Sequence, residues 1–470
     1  MKGTPGSEAG KRRDRLSLPW FWVFLGLATI FCSATLQAGD LDYRELTLDN
    51  GLQVILLREK RAPVVVVQVW YRVGSVDEED GQTGLAHMLE HMMFQGTKTL
   101  APEEFSRIVA RNGGVDNAST SQDFTYYYIK LGSDHLDLAL RMEADRMRNL
   151  VLQESKFSSE NKVVREERRM RNEATSTARM GEKYQAAAYR VHPYGRPVIG
   201  WMADIRNHSV SAMREFYQRY YAPNNATLIV AGDIDFIAAE QRVRHHFSPL
   251  PANETLQRPQ VPQEPVPTTA RYLQVLDPEA KVPVWLAGFL VPTLADTRVG
   301  NDPFALEVVA TILGGGSSSR LYRRLVTQEK LAVSVHVEYS NLSRDPCLFD
   351  IHVTPGKEAS LLRIEAIVRE ELERLGREPV MERELAKTRN SMIAEHVYER
   401  DSIQSQAWNM GRAVTSGVDW KGLLVHLPDR VRAVAAADVR RVTARYLSPE
   451  RWFVGTLLPF PTPKPRRVTE

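Results

Sequence analysis

Cysteine is scarce in this chain: 470 residues contain only Cys32 and Cys347. Cys32 lies in an apolar N-terminal run that reads as an export signal, so the mature chain would keep Cys347 alone and could form no internal disulfide. This excludes a disulfide scaffold. The composition, 43% hydrophobic and 25% charged, is typical of a folded globular protein, and the length predicts two or more domains.

An excess of charge of one sign is also missing. The formal net charge is +3, and residues 1–38 hold five basic and two acidic residues, which accounts for all of it. The rest of the chain is balanced, with 56 residues of each sign. Nothing in this balance indicates a nucleic acid or an anionic membrane as a partner.

The N-terminal segment, residues 1–38, has the order of a secretory signal peptide. A basic region precedes an apolar run from about Leu16 to Cys32, and small residues follow, with cleavage expected after Ala34 or Ala38. An uncleaved membrane anchor is the alternative, because the run is near the lower limit for spanning a bilayer. Export without disulfides predicts the periplasm of a Gram-negative bacterium.

One proline-rich segment divides the remaining chain. Residues 248–270 contain six prolines and no apolar period, which predicts an extended linker. It separates two parts of similar size, residues 40–247 and 271–458, and residues 459–470 are expected to form a disordered tail. Each part begins with apolar strand patterns, the first around an Asn50-Gly51 hairpin signal, and then becomes helical. The prediction is an α+β protein of two duplicated domains, each an antiparallel or mixed sheet with helices packed on one face.

The stretch "GQTGLAHMLEHMMFQGT", residues 81–97, carries two helical stripes. The apolar stripe has the spacing i, i+3, i+4, i+7 and consists of Leu85, Met88, Leu89 and Met92. The opposite stripe holds His87, Glu90, His91 and Phe94. One face of a helix over 83–95 can therefore pack in a core while the other presents two imidazoles and a carboxylate to a cleft.

Two histidines at i and i+4 on a helix can bind one zinc ion, with a nearby carboxylate holding a water molecule. The alternative is an ordinary polar helix face. A catalytic zinc site needs a third protein ligand, and "SSENKVVREERRMRNE", residues 158–173, is a helical candidate with Glu160 and Glu167 on one face. The spacing does not choose between Glu166 and Glu167, and a helix this charged is also typical of a solvated surface.

The order H-x-x-E-H marks the inverzincins, and "GLAHMLEHMMFQGT" closely resembles the zinc helix of the pitrilysin-like peptidases, the family of insulin-degrading enzyme and mitochondrial processing peptidase. In that family the third ligand is a Glu 75 to 80 residues further on, with another acid seven residues before it. "ENKVVREE" resembles this second motif. The resemblance implies one zinc ion per chain, bound by His87, His91 and Glu167, with Glu90 as general base and Glu160 as a supporting acid.

The stretch "RNGGVDNASTSQDFTYYYIKL" resembles the edge strand beside the zinc helix of the family. Such a strand takes up extended or unfolded peptides by backbone hydrogen bonds, so Asn117, Ala118 and Ser119 are the candidate substrate contacts. A plain structural hairpin is the alternative. The implied function is a zinc-dependent endopeptidase or oligopeptidase. The alternative is a non-catalytic structural or binding subunit on the same fold.

The sequence departs from the family in its second half. Family members use an Arg and a Tyr there to close over the substrate, and in residues 314–340 Thr327 and Val333 stand at those positions. Three nearby residues are out of register: Arg320, Tyr322 and Arg323. In two-subunit members one chain carries the metal motif and a paralogue carries the Arg/Tyr pair. The resemblance therefore predicts a dimer, either with a paralogous subunit or as a homodimer.

Overall fold

The computed structural model describes residues 41–460. The predicted signal segment and all of the predicted tail but Pro459 and Phe460 lie outside these residues. No helix within 41–460 combines the length and the apolar character that crossing a membrane requires.

The first part of the chain alternates strands and helices. Its elements are β1 Tyr43–Thr47, β2 Gln53–Arg58, β3 Val64–Tyr71, α1 Leu85–Met92, α2 Glu104–Arg111, β4 Val115–Thr120, β5 Thr125–Gly132, α3 Leu136–Asn149, α4 Glu154–Arg168, α5 Ser176–Ala188, α6 Met202–Asn207, α7 Val210–Tyr220, β6 Ala226–Gly232 and α8 Phe236–Phe247. Six strands form one mixed sheet in the order β1-β2-β6-β3-β5-β4. Strand β4 is therefore an edge strand.

The second part repeats this arrangement. Its elements are β7 Arg271–Asp277, β8 Val284–Val291, α9 Asp302–Gly314, β9 Ala332–Tyr339, β10 Cys347–Pro355, α10 Leu361–Arg377, α11 Glu382–Glu399, α12 Ile403–Thr415, α13 Trp420–Leu424, α14 Leu427–Arg432, α15 Ala436–Tyr446 and β11 Phe453–Pro459. The sheet order is β7-β11-β8-β10-β9. Strands β7 and β11 are parallel, like β2 and β6, and the other neighbours are antiparallel. The predicted duplicated α+β fold is confirmed, with β1 as an addition to the first sheet.

Each sheet buries one face under helices of its own part of the chain and receives one helix from the other part on its second face. Helix α12 packs on β3 and β6, where Ala407, Met410 and Ala413 join a core with Trp70. Helix α5 packs on β7 and β11 in the same way. Each side chain of Leu or Met size buried in such a contact contributes roughly 1.5–3 kcal/mol. This exchange explains why residues 41–460 belong to one compact unit.

A single glycine sets how closely α12 approaches the first sheet. A Cβ atom on Gly411 would overlap the indole ring of Trp70. Glycine at this helical position therefore lets Trp70, which is fully buried, lie directly against the helix backbone.

Residues 248–270 contain no helix or strand, as the proline content predicts. The segment is nevertheless anchored to the first part of the chain. The Glu264 carboxylate accepts hydrogen bonds from the backbone N–H groups of Arg190, Val191 and His192 at 2.9–3.1 Å. The linker thus follows a defined path along the surface.

Candidate active site

Helix α1 is held at its start by a buried carboxylate. Gly84 precedes the helix with φ of 92°, a conformation that glycine adopts without strain. Glu78 accepts hydrogen bonds from the N–H groups of Gly84 and Ala86, both at 2.8 Å, and so satisfies donors that a helix start leaves free. The apolar stripe is buried as predicted: Leu85, Met88, Leu89 and Met92 are at most 3% exposed.

The polar stripe of α1 faces helix α4 across an open cavity of about 500 Å³. Glu167 Oε2 lies 3.3 Å from His91 Nε2 and 3.8 Å from His87 Nε2. One ligand atom from each of these three residues lies within 4.8 Å of the other two. The structure therefore brings together the three residues that the family resemblance names as metal ligands.

This donor set fits a zinc ion. Zinc with nitrogen and oxygen ligands at about 2.0–2.1 Å in tetrahedral geometry requires ligand atoms about 3.3 Å apart, close to the two distances observed. Glu167 Oε2 is also buried without a hydrogen-bond partner in the described part of the chain. A buried carboxylate oxygen costs free energy unless a proton donor or a cation satisfies it.

The electrostatics of His87 suit the same role. Burial, reinforced by the neighbouring charges of His91 and Arg171, lowers the pKa of His87 to about 3. His87 is therefore a neutral imidazole at physiological pH, and this is the form that binds a metal.

The choice between Glu166 and Glu167 is made by the direction of helix α4. The Glu166 side chain is 62% exposed and pairs with Arg169 on the same helix. Glu167 points instead to the histidine pair. Its second oxygen, Oε1, accepts a salt bridge from Arg171 at 2.9 Å, so this arginine, which sequence reasoning did not single out, also borders the cavity.

Glu160 lies on the side of the His91 ring that faces away from Glu167. Its Oε2 atom is 3.3 Å from His91 Nδ1, the ring nitrogen opposite the one that faces Glu167. Gln95 Nε2 donates to the other oxygen of Glu160 at 2.8 Å. Glu160 thereby fixes the orientation of the His91 ring, and Gln95 in turn fixes Glu160.

Glu90 projects from α1 into the same cavity. Its Oε2 atom accepts a hydrogen bond of 2.5 Å from Thr120 Oγ1, at the end of strand β4. Burial raises the pKa of Glu90 above its usual value, while the Thr120 hydrogen bond opposes this shift. Thr120 was not singled out from the sequence, although it directly follows the predicted contacts.

Strand β4 forms one wall of the cavity. Asn117, Ala118 and Ser119 all line it. Within residues 41–460 the strand pairs only with β5, so its outer edge has no strand partner. The predicted substrate contacts thus lie on an edge strand beside the histidine pair.

The second half of the chain has no comparable group. Within residues 41–460, the set on α1 and α4 is the only group of three or more His, Cys, Asp or Glu residues whose ligand atoms lie close enough together to share a metal ion. Thr327 and Val333 are exposed, Val333 to 67%. Arg320 is already engaged, because it forms two hydrogen bonds of 2.6 and 2.9 Å with Glu384.

Comparison with known proteins identifies the family. Residues 53–201 match the family model Insulinase (Peptidase family M16), and residues 208–392 match the Peptidase M16 inactive domain. The Zinc protease PqqE of Helicobacter pylori is 34% identical over 388 residues, covering 81% of this chain and 85% of that protein.

Two solved structures extend the comparison. The crystal structure of a protease from Helicobacter pylori superimposes with a TM-score of 0.84 and 31% identity, covering 89% of this chain and all of that one. Pitrilysin, at 19% identity, shares the fold with a TM-score of 0.73, over 92% of this chain and 46% of its own. The chain described here is a member of peptidase family M16, the pitrilysin-like zinc proteases.

Proposed function

We propose that this protein is a zinc-dependent endopeptidase or oligopeptidase that hydrolyses extended or unfolded peptides. The observation that carries the proposal is the convergence of His87, His91 and Glu167 beside Glu90 in an open cavity. A purely structural subunit has no need for this set in register.

Strand β4 supplies the binding mode. An extended peptide can add to its free edge through backbone hydrogen bonds at Asn117, Ala118 and Ser119, which gives affinity with little sequence selectivity. A peptide in this position passes along the cavity wall that ends at Thr120, next to Glu90. Its backbone then lies where the acid and the histidines converge.

Each residue has a defined task in the proposed reaction. His87, His91 and Glu167 would hold a zinc ion, which would supply the acidification of a water molecule and the polarisation of the scissile carbonyl. Glu90 accepts the proton of the attacking water and later donates it to the leaving amine. Its raised pKa suits a group that must both take and release a proton. Thr120 holds the Glu90 carboxylate in place.

We also propose that the protein works as the metal-bearing subunit of a dimer. Thr327 and Val333 cannot provide an Arg/Tyr clamp, and the nearby Arg320 is tied to Glu384. The chain matches 46% of pitrilysin, so two such chains correspond to one pitrilysin molecule. A paralogous subunit that carries the clamp would complete the enclosure, and a homodimer would be the weaker enzyme. The signal-like N-terminus supports a periplasmic location.

The test is metal content and cleavage of an unstructured peptide by wild type and Glu90→Gln, with and without a co-purified paralogue. We expect both proteins to bind one zinc ion per chain and only the wild type to cleave. If neither cleaves even with the paralogue, the non-catalytic subunit is the correct assignment. Strong cleavage by isolated monomer would refute the dimer requirement alone.

A further inference from the structure

A second cavity, of about 530 Å³, lies between the two halves of the chain next to the metal-site cavity. Ser119 of strand β4 lines both cavities, so the two adjoin at this strand. The walls of the second cavity come from the β4–β5 turn, helix α5 and strands β9 and β10. A peptide added to β4 would reach this cavity as it leaves the metal site.

Two carboxylates on adjacent strands face this cavity. Glu338 on β9 and Asp350 on β10 are direct partners in the antiparallel register. Like charges placed directly opposite each other on a sheet destabilise it. In the described part of the chain neither carboxylate forms a salt bridge, and the recorded hydrogen bond at the pair runs from Tyr184 Oη to Asp350 at 2.8 Å. This leaves at least one oxygen of each carboxylate free.

The backbone makes room for this arrangement. Gly288 on β8 is the partner of Asp350 on its other side. A Cβ atom there would overlap the Tyr184 hydroxyl and press on Asp350. Glycine at this position thus leaves space for the Tyr184 hydroxyl of α5 to donate a hydrogen bond to one oxygen of Asp350.

The remaining charges around the cavity are already matched. Asp123 accepts a hydrogen bond from the Arg344 N–H at 3.0 Å, and the Arg344 guanidinium lies beside it. Arg412 donates to Ser340 at 3.2 Å, and the nearby Glu399 opposes its charge. Burial lowers the pKa of His352, so this ring is neutral at physiological pH. The unmatched acidic groups of the cavity are therefore Glu338 and Asp350. Burial, reinforced by the neighbouring Glu338, raises the pKa of Asp350 to about 7, so a cation bound between the two groups would favour its ionised form.

The walls suit a long cationic side chain. Phe124, Tyr184 and Trp408 place aromatic rings around the cavity. Aromatic faces attract guanidinium and ammonium groups and pack against the methylene groups of their stems. Guanidinium in particular combines stacking on rings with paired hydrogen bonds to carboxylates.

From this geometry we propose that the second cavity is a specificity subsite for an arginine or lysine side chain of the peptide bound on β4. Its head lies between Glu338 and Asp350 and its stem lies against the aromatic rings. The proposal rests on the proposed function for the peptide itself. The subsite adds a preference for a side chain of the peptide. Strand β4 cannot provide this preference, because it binds the peptide only through backbone hydrogen bonds.

The test measures binding and cleavage separately. N-acetylated peptides of otherwise neutral sequence carry one Arg, moved stepwise along the peptide, and are compared with Ala and Glu at each position. Binding to full-length zinc-loaded Glu90→Gln protein is followed by fluorescence anisotropy. We expect one position at which Arg binds roughly tenfold or more tightly than Ala, and Glu more weakly than either.

Variants assign the preference to the two carboxylates. In the Glu90→Gln background, Asp350→Asn should reduce the Arg/Ala affinity ratio toward one, and Glu338→Lys should invert it. Glu338 is exposed, so its substitution leaves the core intact. The matched control is Glu358→Gln, an exposed acid outside both cavities, which should keep the wild-type ratio.

The outcomes separate this proposal from the proposed function. If wild type cleaves the peptides but Arg has no favoured position, the subsite is refuted and the peptidase stands. If Arg binds preferentially but nothing is cleaved, the subsite stands and the peptidase assignment fails. If a peptide with a free N-terminus and no basic residue binds as tightly as the Arg peptide, the cavity takes the terminal amine, and the side-chain proposal is overturned.

Discussion

The two halves of the chain share one strand order and use it differently. In the first, the helix after the third strand is α1, with one buried face and one face that carries His87, Glu90 and His91. In the second, the corresponding helix α9 has ten of its thirteen residues buried, and no histidine. The same framework thus holds the candidate metal site where one helix face is polar, and a plain core where that face is apolar.

The largest expected effect of a single substitution is a loss of zinc affinity in the first half of the chain. His91→Ala removes one of three ligands and should weaken zinc binding by roughly 1,000-fold or more. The comparison variant is His396→Ala on α11, where the imidazole contacts the Leu424 carbonyl at 2.9 Å. It should leave zinc affinity unchanged. Competition with a chromogenic chelator measures the zinc affinity of both variants. A loss of zinc affinity in His396→Ala would contradict the assignment of zinc binding to the first half.

A smaller loss of zinc affinity is expected from a change at Glu160, which contacts the proposed ligand His91. Glu160→Gln keeps the size of the side chain but weakens its hydrogen bond with His91, so zinc affinity should fall roughly 10- to 100-fold. Glu166→Gln, on the exposed side of the same helix, is the control and should have no effect. Equal losses in both variants would mean that charge near the site, and not ring orientation, controls the affinity.

The exchanged helices α12 and α5 give a test on stability. Gly411→Ala on α12 forces a methyl group against Trp70 and should destabilise the fold by roughly 1–3 kcal/mol. Gly181→Ala on α5 adds a Cβ with no atom within 4 Å and should stabilise by about 0.5–1 kcal/mol, because glycine is costly inside helices. Urea unfolding measures both. Shifts in the same direction would contradict the close contact at Trp70.

The most gradual effect is a pH dependence of stability in the second half. Burial raises the pKa of Glu307 to about 8, above the unfolded value of 4.5. Glu307 is therefore protonated in the folded chain, and its stabilising contribution is full below pH 4.5 and lost as pH rises toward 8. Relative to Glu307→Gln, wild type should lose at most about 1.4 kcal/mol of unfolding free energy per pH unit. Parallel curves for the two proteins between pH 5 and 8 would contradict this.

Local patterns allowed much of the fold to be predicted. The helix expected over 83–95 is observed as Leu85–Met92, with its apolar stripe buried, and the Asn50-Gly51 hairpin joins β1 and β2. Both depend on neighbours in sequence, so periodicity and turn chemistry are enough. The exchange of α5 and α12 was not predicted, because an amphipathic helix does not specify which of two similar sheets will cover it.

The sequence by itself determined that His87, Glu90 and His91 share a helix face, since that follows from 3.6 residues per turn. The charged pattern of residues 158–173 offered a helix for a third ligand but did not choose between Glu166 and Glu167, and the family resemblance favoured Glu167. The tertiary structure supplies the physical reason, because adjacent residues on a helix point about 100° apart and the packing of α4 on α1 turns Glu167 toward the histidines. The same holds for the cavity between the halves: Glu338 and Asp350 are ordinary strand residues until pairing places them side by side.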